Sequence, residues 1–510
     1  MAACRAALSA VVAGVFFMRP AVAGDALKQQ VDGWRGEHET QILSTFDQLL
    51  RFPSVAADPK GTEAAGAYLK RQLEERGFHA ELLTVPNAPP VVFGSLATPG
   101  AKRTVVFYAH YDGQPVTPSQ WATPPFDPVM RSGPLGSGEH VVDWKAAKPP
   151  YDPEWRLYAR STGDDKISQL AFLAAFDALK AIGKKPSVNI KVVWEGEEEA
   201  GSTHLKEIMR ANSDKLSSDL WLIGDGPVHP SRRPLLYFGA RGVVGLDATI
   251  YGPIKALHDG HYGNWVPNPA AMAAELISQL RAEDGRILIP GVMDDVRPAS
   301  KAERDAVAAL PPVEDGLKDE FQIGRSETDE SVTEAIMRPA LNIRGIRAGK
   351  VGDEAANAIP VDAEVSIDFR LVPNQMPGKV RAQLEAFLRS KGWHIATAVP
   401  DKAARLAHPK IVKIDWEDGY PAFRSDMSSP PARAVIAAAA GASDQPVAVT
   451  PSLGGSVPLY VFDDVFHTPL AGLPVANHDD NQHAANENIR LQNVWDGIDT
   501  YAAMIGELSW

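Results

Sequence analysis

Residues 167–194 read ISQLAFLAAFDALKAIGKKPSVNIKVVW, and this stretch decides the fold. Its first half repeats apolar residues at helical spacing from Ile167 and halts at Gly183, where a C-terminal glycine is expected. Its second half, VNIKVVW at 188–194, is a short apolar run rich in β-branched residues, which reads as a buried strand. TVVFYA at 104–109 is a similar run upstream. Strands alternating with helices imply an α/β fold built on a mostly parallel sheet with helices on both faces, and in such sheets ligands gather beyond the carboxyl ends of the strands.

Working outward, 39–52 and 61–77 read as helices, the second stopping at Gly77. From about Arg241 the pattern changes. VVGLDATIYG (243–252) and AEVSIDFRLVP (363–373) alternate as half-exposed strands, followed by helical stretches at 270–281 and 379–391. Two such units suggest an inserted α+β domain. Residues 430–440, 447–462 and 488–508 return to the earlier style, so the main domain is expected in two parts, 24–240 and 425–510, around an insert at 241–424. The Gly/Pro-rich segment 132–153 reads as a surface insertion.

A length of 510 residues favours two domains, and 45% hydrophobic with 23% charged residues is ordinary for a soluble globular chain. A net charge of -13 without a long Lys/Arg run argues against a nucleic-acid partner. Residues 1–24, MAACRAALSAVVAGVFFMRPAVAG, carry Arg5, an apolar run from Ala6 to Met18 and then Ala21-Val22-Ala23, which reads as an export signal occupying 1–23 and cleaved after Ala23. The product would be periplasmic or secreted, with no membrane segment in the mature form. Cys4 is the one cysteine and would leave with the signal, so any metal site must use His, Asp and Glu, a donor set that suits zinc, manganese or cobalt.

Four clusters could carry chemistry. In YAHYDGQP, His110 and Asp112 share a strand face, so Asp112 could hold the imidazole while its other nitrogen binds a metal; alone the pair reads as a surface hydrogen bond. In RSTGDDKISQL, Asp164 could bridge two cations, although an aspartate before a helix is more simply a cap. VVWEGEEEAGS places Glu197, Glu198 and Glu199 where an apolar strand emerges, an unfavourable crowd unless cations or proton transfer use it; the plainer reading is a solvated charge run. NHDDNQHAANE offers His478 and His483 in what could be an ordinary polar loop. Together they supply the donors of a dinuclear site at the strand ends of one sheet.

The order of these motifs resembles the dinuclear-zinc exopeptidase family of carnosinases, bacterial dipeptidases, aminoacylase, glutamate carboxypeptidase and succinyl-diaminopimelate desuccinylase, and most of all its carnosinase-type dipeptidases. AHYDGQP, TPPFDPVMRSG, RLYARSTGDDK, EGEEEAGS, LHDGHYGN, FRLVPN, GGSVP and DDNQHAANE follow in sequence over nearly the whole mature chain. The resemblance implies that the inserted unit is a lid and dimerisation domain. It also implies that His110 binds one metal, Asp164 bridges both, Glu199 binds the first and His483 the second. Asp225, in WLIGDGP, takes the place of the remaining aspartate ligand. Asp112 would orient His110, and His478 is left as a loop residue.

The implied activity is hydrolysis of dipeptides or short peptides by metal-activated water, with two divalent ions, zinc first and manganese or cobalt as alternatives. Glu198 would be the general base, taking a proton from water and returning it to the leaving amine. His258, from the lid of a neighbouring subunit, would stabilise the oxyanion, which makes a homodimer the expected active unit. Arg370, Ser456, Gly455 and Asn357 would hold the substrate carboxylate, for which an arginine fork is suited.

The chain departs from the family pattern at Ile167, at Ala159-Arg160-Ser161 in place of Gly-Arg-Gly, and near Glu417-Asp418, where a lid histidine is replaced. A non-proline cis peptide is expected between Asp164 and Asp165. The rival activities are an amidohydrolase removing acyl groups from amino acids and, from another class, a non-catalytic binding protein on the same scaffold.

Overall fold

The computed structural model describes residues 23–510, so the expected export signal lies, but for its last residue, outside the described residues. The first helix, Ala23–Leu50, begins well before the expected start at residue 39. Its early turns hold few apolar residues, which hides the period, yet Leu27 and Val31 are buried, Lys28 pairs with Asp32 (2.7 Å) one turn on, and Arg35 reaches the buried Glu39 (2.8 Å). The next helix, Pro59–Glu75, starts where Asp58 accepts from the Lys60 and Gly61 amides, a cap worth about 1 kcal/mol. The helix expected at 167–182 is Lys166–Ala181.

Eight strands form the main sheet, in the order His79–Leu83, Val91–Leu96, Asn189–Glu195, Thr104–His110, Leu220–Ile223, Leu470–Gly472, Leu235–Tyr237, Ala448–Thr450. Its middle is parallel: Thr104–His110 lies between Asn189–Glu195 and Leu220–Ile223, and Leu470–Gly472 continues in the same direction. The first two strands are antiparallel to their neighbours. Alternation along Thr104–His110 explains why the sheet is covered twice. Val105, Phe107 and Ala109 face a core shared with the helices Ala23–Leu50, Lys166–Ala181 and Leu491–Glu507, whereas Val106 and Tyr108 face a second core with Leu205–Ala211 and Tyr460–Phe466.

A small three-stranded sheet of Val129–Arg131, Arg156–Tyr158 and Asn488–Arg490 matters more than its size suggests. Arg156–Tyr158 and Asn488–Arg490 run antiparallel, so the loop leaving Tyr158 and the loop arriving at Asn488 emerge at the same end.

The second layer system is a five-stranded sheet in the order Ala340–Arg347, Asp362–Leu371, Gly242–Tyr251, Ile411–Tyr420, His394–Ala396. Val244, Leu246, Ala248 and Ile250 pack with Leu276 and Leu384, from the helices Pro269–Leu280 and Pro377–Ser390, in a core of their own. This matches the expected alternating strands and following helices, and it gives the separate sheet domain expected of the lid. The expected breaks at 240/241 and 424/425 fall beside Gly239–Ala240 and Phe423–Arg424, two short strands paired antiparallel. A Cβ on Gly239 would run into the Phe423 carbonyl and one on Gly242 into the Tyr420 carbonyl, so glycine permits the two chain segments to cross closely.

The segment 132–153 is more than a surface insertion. Trp144 and Tyr151 are buried in the main core, and the Tyr151 hydroxyl meets Thr40 Oγ1 at 2.8 Å on the first helix. Its Gly/Pro content obscured two aromatic anchors. Among the described residues no helix is long and apolar enough to cross a membrane.

Candidate metal centre

Four backbone segments deliver acidic and imidazole side chains to one end of the parallel sheet. His110 closes its strand, Glu198 and Glu199 follow Asn189–Glu195, Asp225 follows Leu220–Ile223, and the loop with His483 follows Leu470–Gly472. The small antiparallel sheet then brings the Asp164 loop beside the His483 loop. The expected carboxyl-end site is thus where the topology places it.

Two triads form there. One is His110, Glu198 and Asp225, the other Asp164, Glu199 and His483, and within each the ligand-capable atoms lie within 4.8 Å of one another. Asp164 joins them: its Oδ1 is 2.9 Å from His110 Nε2 and its Oδ2 is 3.0 Å from His483 Nε2. Each oxygen of one carboxylate thus faces a different histidine, the geometry expected of a bridging ligand. One expectation is corrected. Glu199 Oε2 lies 3.3 Å from His483 Nε2 and shares that triad, rather than joining His110 at the first metal. Adjacent residues at a turn point apart, so Glu198 goes to the His110 side and Glu199 to the other. Glu198, expected as the base, is also within ligand reach of His110 and Asp225.

The electrostatics fit a cation site. Burial, with Asp225, Asp164 and Glu199 nearby, pushes the Glu198 carboxyl well up. Burial and then Asp164 push Glu199 up to about 8 and Asp225 up to about 6. Asp164 goes the other way: burial would raise its carboxyl, but hydrogen bonds from His110 and His483 hold it well below the usual range. The Asp164 hydrogen bond raises His483 to about 9. A cleft that crowds carboxylates until they resist ionising lacks positive charge, and an oxygen-and-nitrogen donor set without thiolates suits hard to borderline divalent cations.

Asp112 does more than the expected orientation of His110. It is fully buried, its Oδ1 is 3.3 Å from His110 Nδ1, and its two oxygens accept from the Glu198 and Glu199 amides, each at 3.1 Å. One carboxylate therefore locks the histidine and the glutamate turn together. Glu197 turns away to His204, 2.9 Å from its Nδ1. Gln114, overlooked although it stands in the quoted HYDGQP stretch, donates to Glu199 Oε2 at 2.7 Å, and Gln482 donates to Asp164 Oδ2 at 2.8 Å. The Asp164-Asp165 peptide is cis, as expected, and Ser161 keeps φ +66 where the family pattern has glycine.

A cavity of about 540 Å³ opens on this centre and is walled by Arg370, Gly455 and Ser456. Arg370 donates from Nη1 to Ser456 Oγ and from Nε to Asp368 Oδ2, both at 2.8 Å, so its guanidinium is fixed. Asn357 and His258 are not in the cavity wall. His258 is exposed, with its ring 4.6 Å from that of His261, and the Asn357 carbonyl accepts from the Asp259 amide. His258 lies on a short ribbon, Leu257–His258 paired with Ala358–Ile359, and Asn357 directly precedes its second strand, so the two are held together on the outside of the second domain. Their expected roles in the site are therefore not met within one chain. His478 contacts Glu320 at 3.4 Å, a loop residue as expected, and Glu417 is spent on an ion pair with Arg344.

The chain matches peptidase family M20/M25/M40 over residues 106–507. It is 27% identical to the Cys-Gly metallodipeptidase dug1 of Schizosaccharomyces pombe, over 95% of this chain and 98% of that protein. It is 26% identical to the Beta-Ala-His dipeptidase of Homo sapiens, over 91% of this chain and 85% of that protein. Among solved structures, the M20 family metallo-carboxypeptidase Sso-CP2 from Sulfolobus solfataricus superposes with a TM-score of 0.73 at 28% identity, covering 91% of this chain and 98% of that one.

Proposed function

The chain belongs to peptidase family M20/M25/M40 and is a metal-dependent peptide hydrolase, and from that premise we propose that it cleaves dipeptides and other short peptides bearing a free carboxyl terminus. The observation that carries the proposal is the pair of triads joined through the two oxygens of Asp164, beside a cavity with a fixed arginine. Relatives named for Cys-Gly and Beta-Ala-His cleavage support the substrate class.

In this proposal His110, Asp164 and Asp225 would hold one cation and Asp164, Glu199 and His483 the other, both zinc. Such a pair, when bound, would acidify a water and polarise the scissile carbonyl. Glu198, which shares a triad with His110 and Asp225, is placed to take a proton from the attacking water as its oxygen bonds to the carbonyl carbon, and to return that proton to the amide nitrogen as the carbon–nitrogen bond breaks. Asp112 keeps His110 and the Glu198-Glu199 turn in register throughout. Arg370, steadied by Ser456 and Asp368, meets the substrate carboxylate, with the Gly454-Gly455 turn beside it.

His258 completes the site from a second copy: exposed on the outer ribbon, it is free to reach into a partner's cavity, so the active unit is a homodimer formed through the 241–424 domain. Export to a periplasm or beyond rests on the sequence of residues 1–23.

The test is amino-acid release from a panel of dipeptides and N-acyl amino acids, using metal-stripped protein with zinc, manganese or cobalt restored. Metal-dependent release from dipeptides is expected. Release from acyl substrates alone would replace the peptidase assignment with an amidohydrolase, and no release with any metal would favour a binding protein.

A further inference from the structure

Glu487 is absent from the cavity wall, yet the two ligand-bearing loops meet at its carboxylate. The side chain is completely buried. Its Oε1 accepts from the Gly163 amide at 2.8 Å and the Asp164 amide at 3.0 Å; its Oε2 accepts from the Ser161 amide at 2.9 Å and from Arg160 Nη1 at 2.7 Å. The Glu487 carbonyl accepts from the Ala159 amide at 3.2 Å. One residue of the His483 loop thus holds five donors from residues 159–164 of the Asp164 loop.

Two further observations show that these loops need holding. Ser161 (φ +66) and His483 (φ +61) both occupy the left-handed region that favours glycine, a strain of about 1 kcal/mol or more each, and such conformations persist where the surroundings over-determine them. The loops are also pressed together, since a Cβ at Gly163 would come within 2.6 Å of Asp480 Oδ2. The His483 loop is meanwhile closed on itself by the Asn488 amide donating to the Asp480 carbonyl at 2.8 Å. Gln482 also reaches across to Asp164 Oδ2 at 2.8 Å, but the Glu487 carboxylate is the buried joint that takes four donors from the Asp164 loop.

We propose that Glu487 is a positioning residue which sets the separation of Asp164 and His483, and so the affinity of the cation site they share. A carboxylate is required because it accepts at once from the four donors that reach the side chain, whereas an amide in the same place turns an NH₂ group toward backbone N–H groups. Arg160 supplies the neutralising charge that a buried carboxylate needs. The inference rests on reading Asp164 and His483 as metal ligands.

The experiment is zinc titration of the folded full-length protein against a competing chelator, with circular dichroism and metal-free Tm measured in parallel. Glu487→Gln should keep its secondary structure and hold at least one of its two zinc equivalents about tenfold or more weakly, since Asp164 serves both sites. A merely structural role would lower the metal-free Tm and leave zinc affinity at the parental value, and that result overturns the proposal. If Glu487→Gln fails to fold, Arg160→Gln decides. It keeps the backbone contacts, so a smaller loss of zinc affinity is expected, and parental affinity would refute the inference. A parent protein that binds no zinc would instead remove the metal centre itself, and this inference with it.

Discussion

Glu198→Gln separates two roles that geometry leaves together, because the same carboxylate is within ligand reach of His110 and Asp225 and is placed to move protons. The turn that carries it is fixed by backbone contacts: the Glu198 and Glu199 amides donate to Asp112 whatever side chain stands at 198. The substitution therefore removes one ionisable oxygen and nothing of the framework. Loss of a positioned acid–base group costs about 10²- to 10⁴-fold in rate, or about 3 to 5 kcal/mol of barrier. The expected result is kcat lowered by that factor, with both metal equivalents retained in elemental analysis of the purified variant. Turnover within about threefold of the parent would refute the assignment as base. Loss of one equivalent together with turnover would make Glu198 a ligand instead.

Arg370→Lys should raise KM for dipeptides about tenfold or more, since a charged hydrogen bond of about 2 kcal/mol goes with the fork; an unchanged KM in steady-state assays would free Arg370 from substrate binding. Trp144→Ala should cost about 3 kcal/mol and lower Tm by several degrees in calorimetry, and an unchanged Tm would mean that 132–153 is only loosely attached. Asp499 is buried with one oxygen unpartnered, and burial followed by Asp32 pushes its carboxyl from 3.8 up to about 8. A folded-state value above the unfolded one gives stability that is complete below about pH 4 and declines as pH rises toward 8, so Asp499→Asn should match the parent near pH 4 and melt higher at pH 8. A gap that fails to widen between those two conditions would contradict this.

The α/β class was legible because buried parallel strands advertise themselves: TVVFYA is an almost wholly apolar run, the strand ending in VVW is interrupted only by Lys191 after Asn189, and the helix between them stops just before a glycine. His110, Asp164, Asp225 and His483 were legible for a related reason, each sitting next to such a run or in a recognisable motif. The partition of the ligands was not. Whether Glu198 or Glu199 reaches His483 depends on how a turn is rotated, and that rotation is set by Asp112, a contact across 86 and 87 residues of chain. Trp144 and Tyr151 were hidden by the glycines and prolines around them, and the start of the first helix by its polar face. Glu487 stood in a quoted motif but had no sequence signal of burial, because its donors are backbone amides.

The antiparallel pairing of Gly239–Ala240 with Phe423–Arg424 also changes how the chain looks from the eight-stranded sheet. Everything between Ala240 and Phe423 departs and returns through adjoining hydrogen-bonded positions, so for that sheet the whole excursion is topologically a hairpin loop. The entropy of closing a loop grows only with the logarithm of its length. A change in size at an exposed turn of the excursion, away from the helix Lys301–Ala308 that packs on the sheet edge and from Arg370 at the cavity, therefore leaves the strand order and the carboxyl-end cluster untouched. That gives this part of the molecule room to vary in what it reaches for while the chemistry beneath it stays in place.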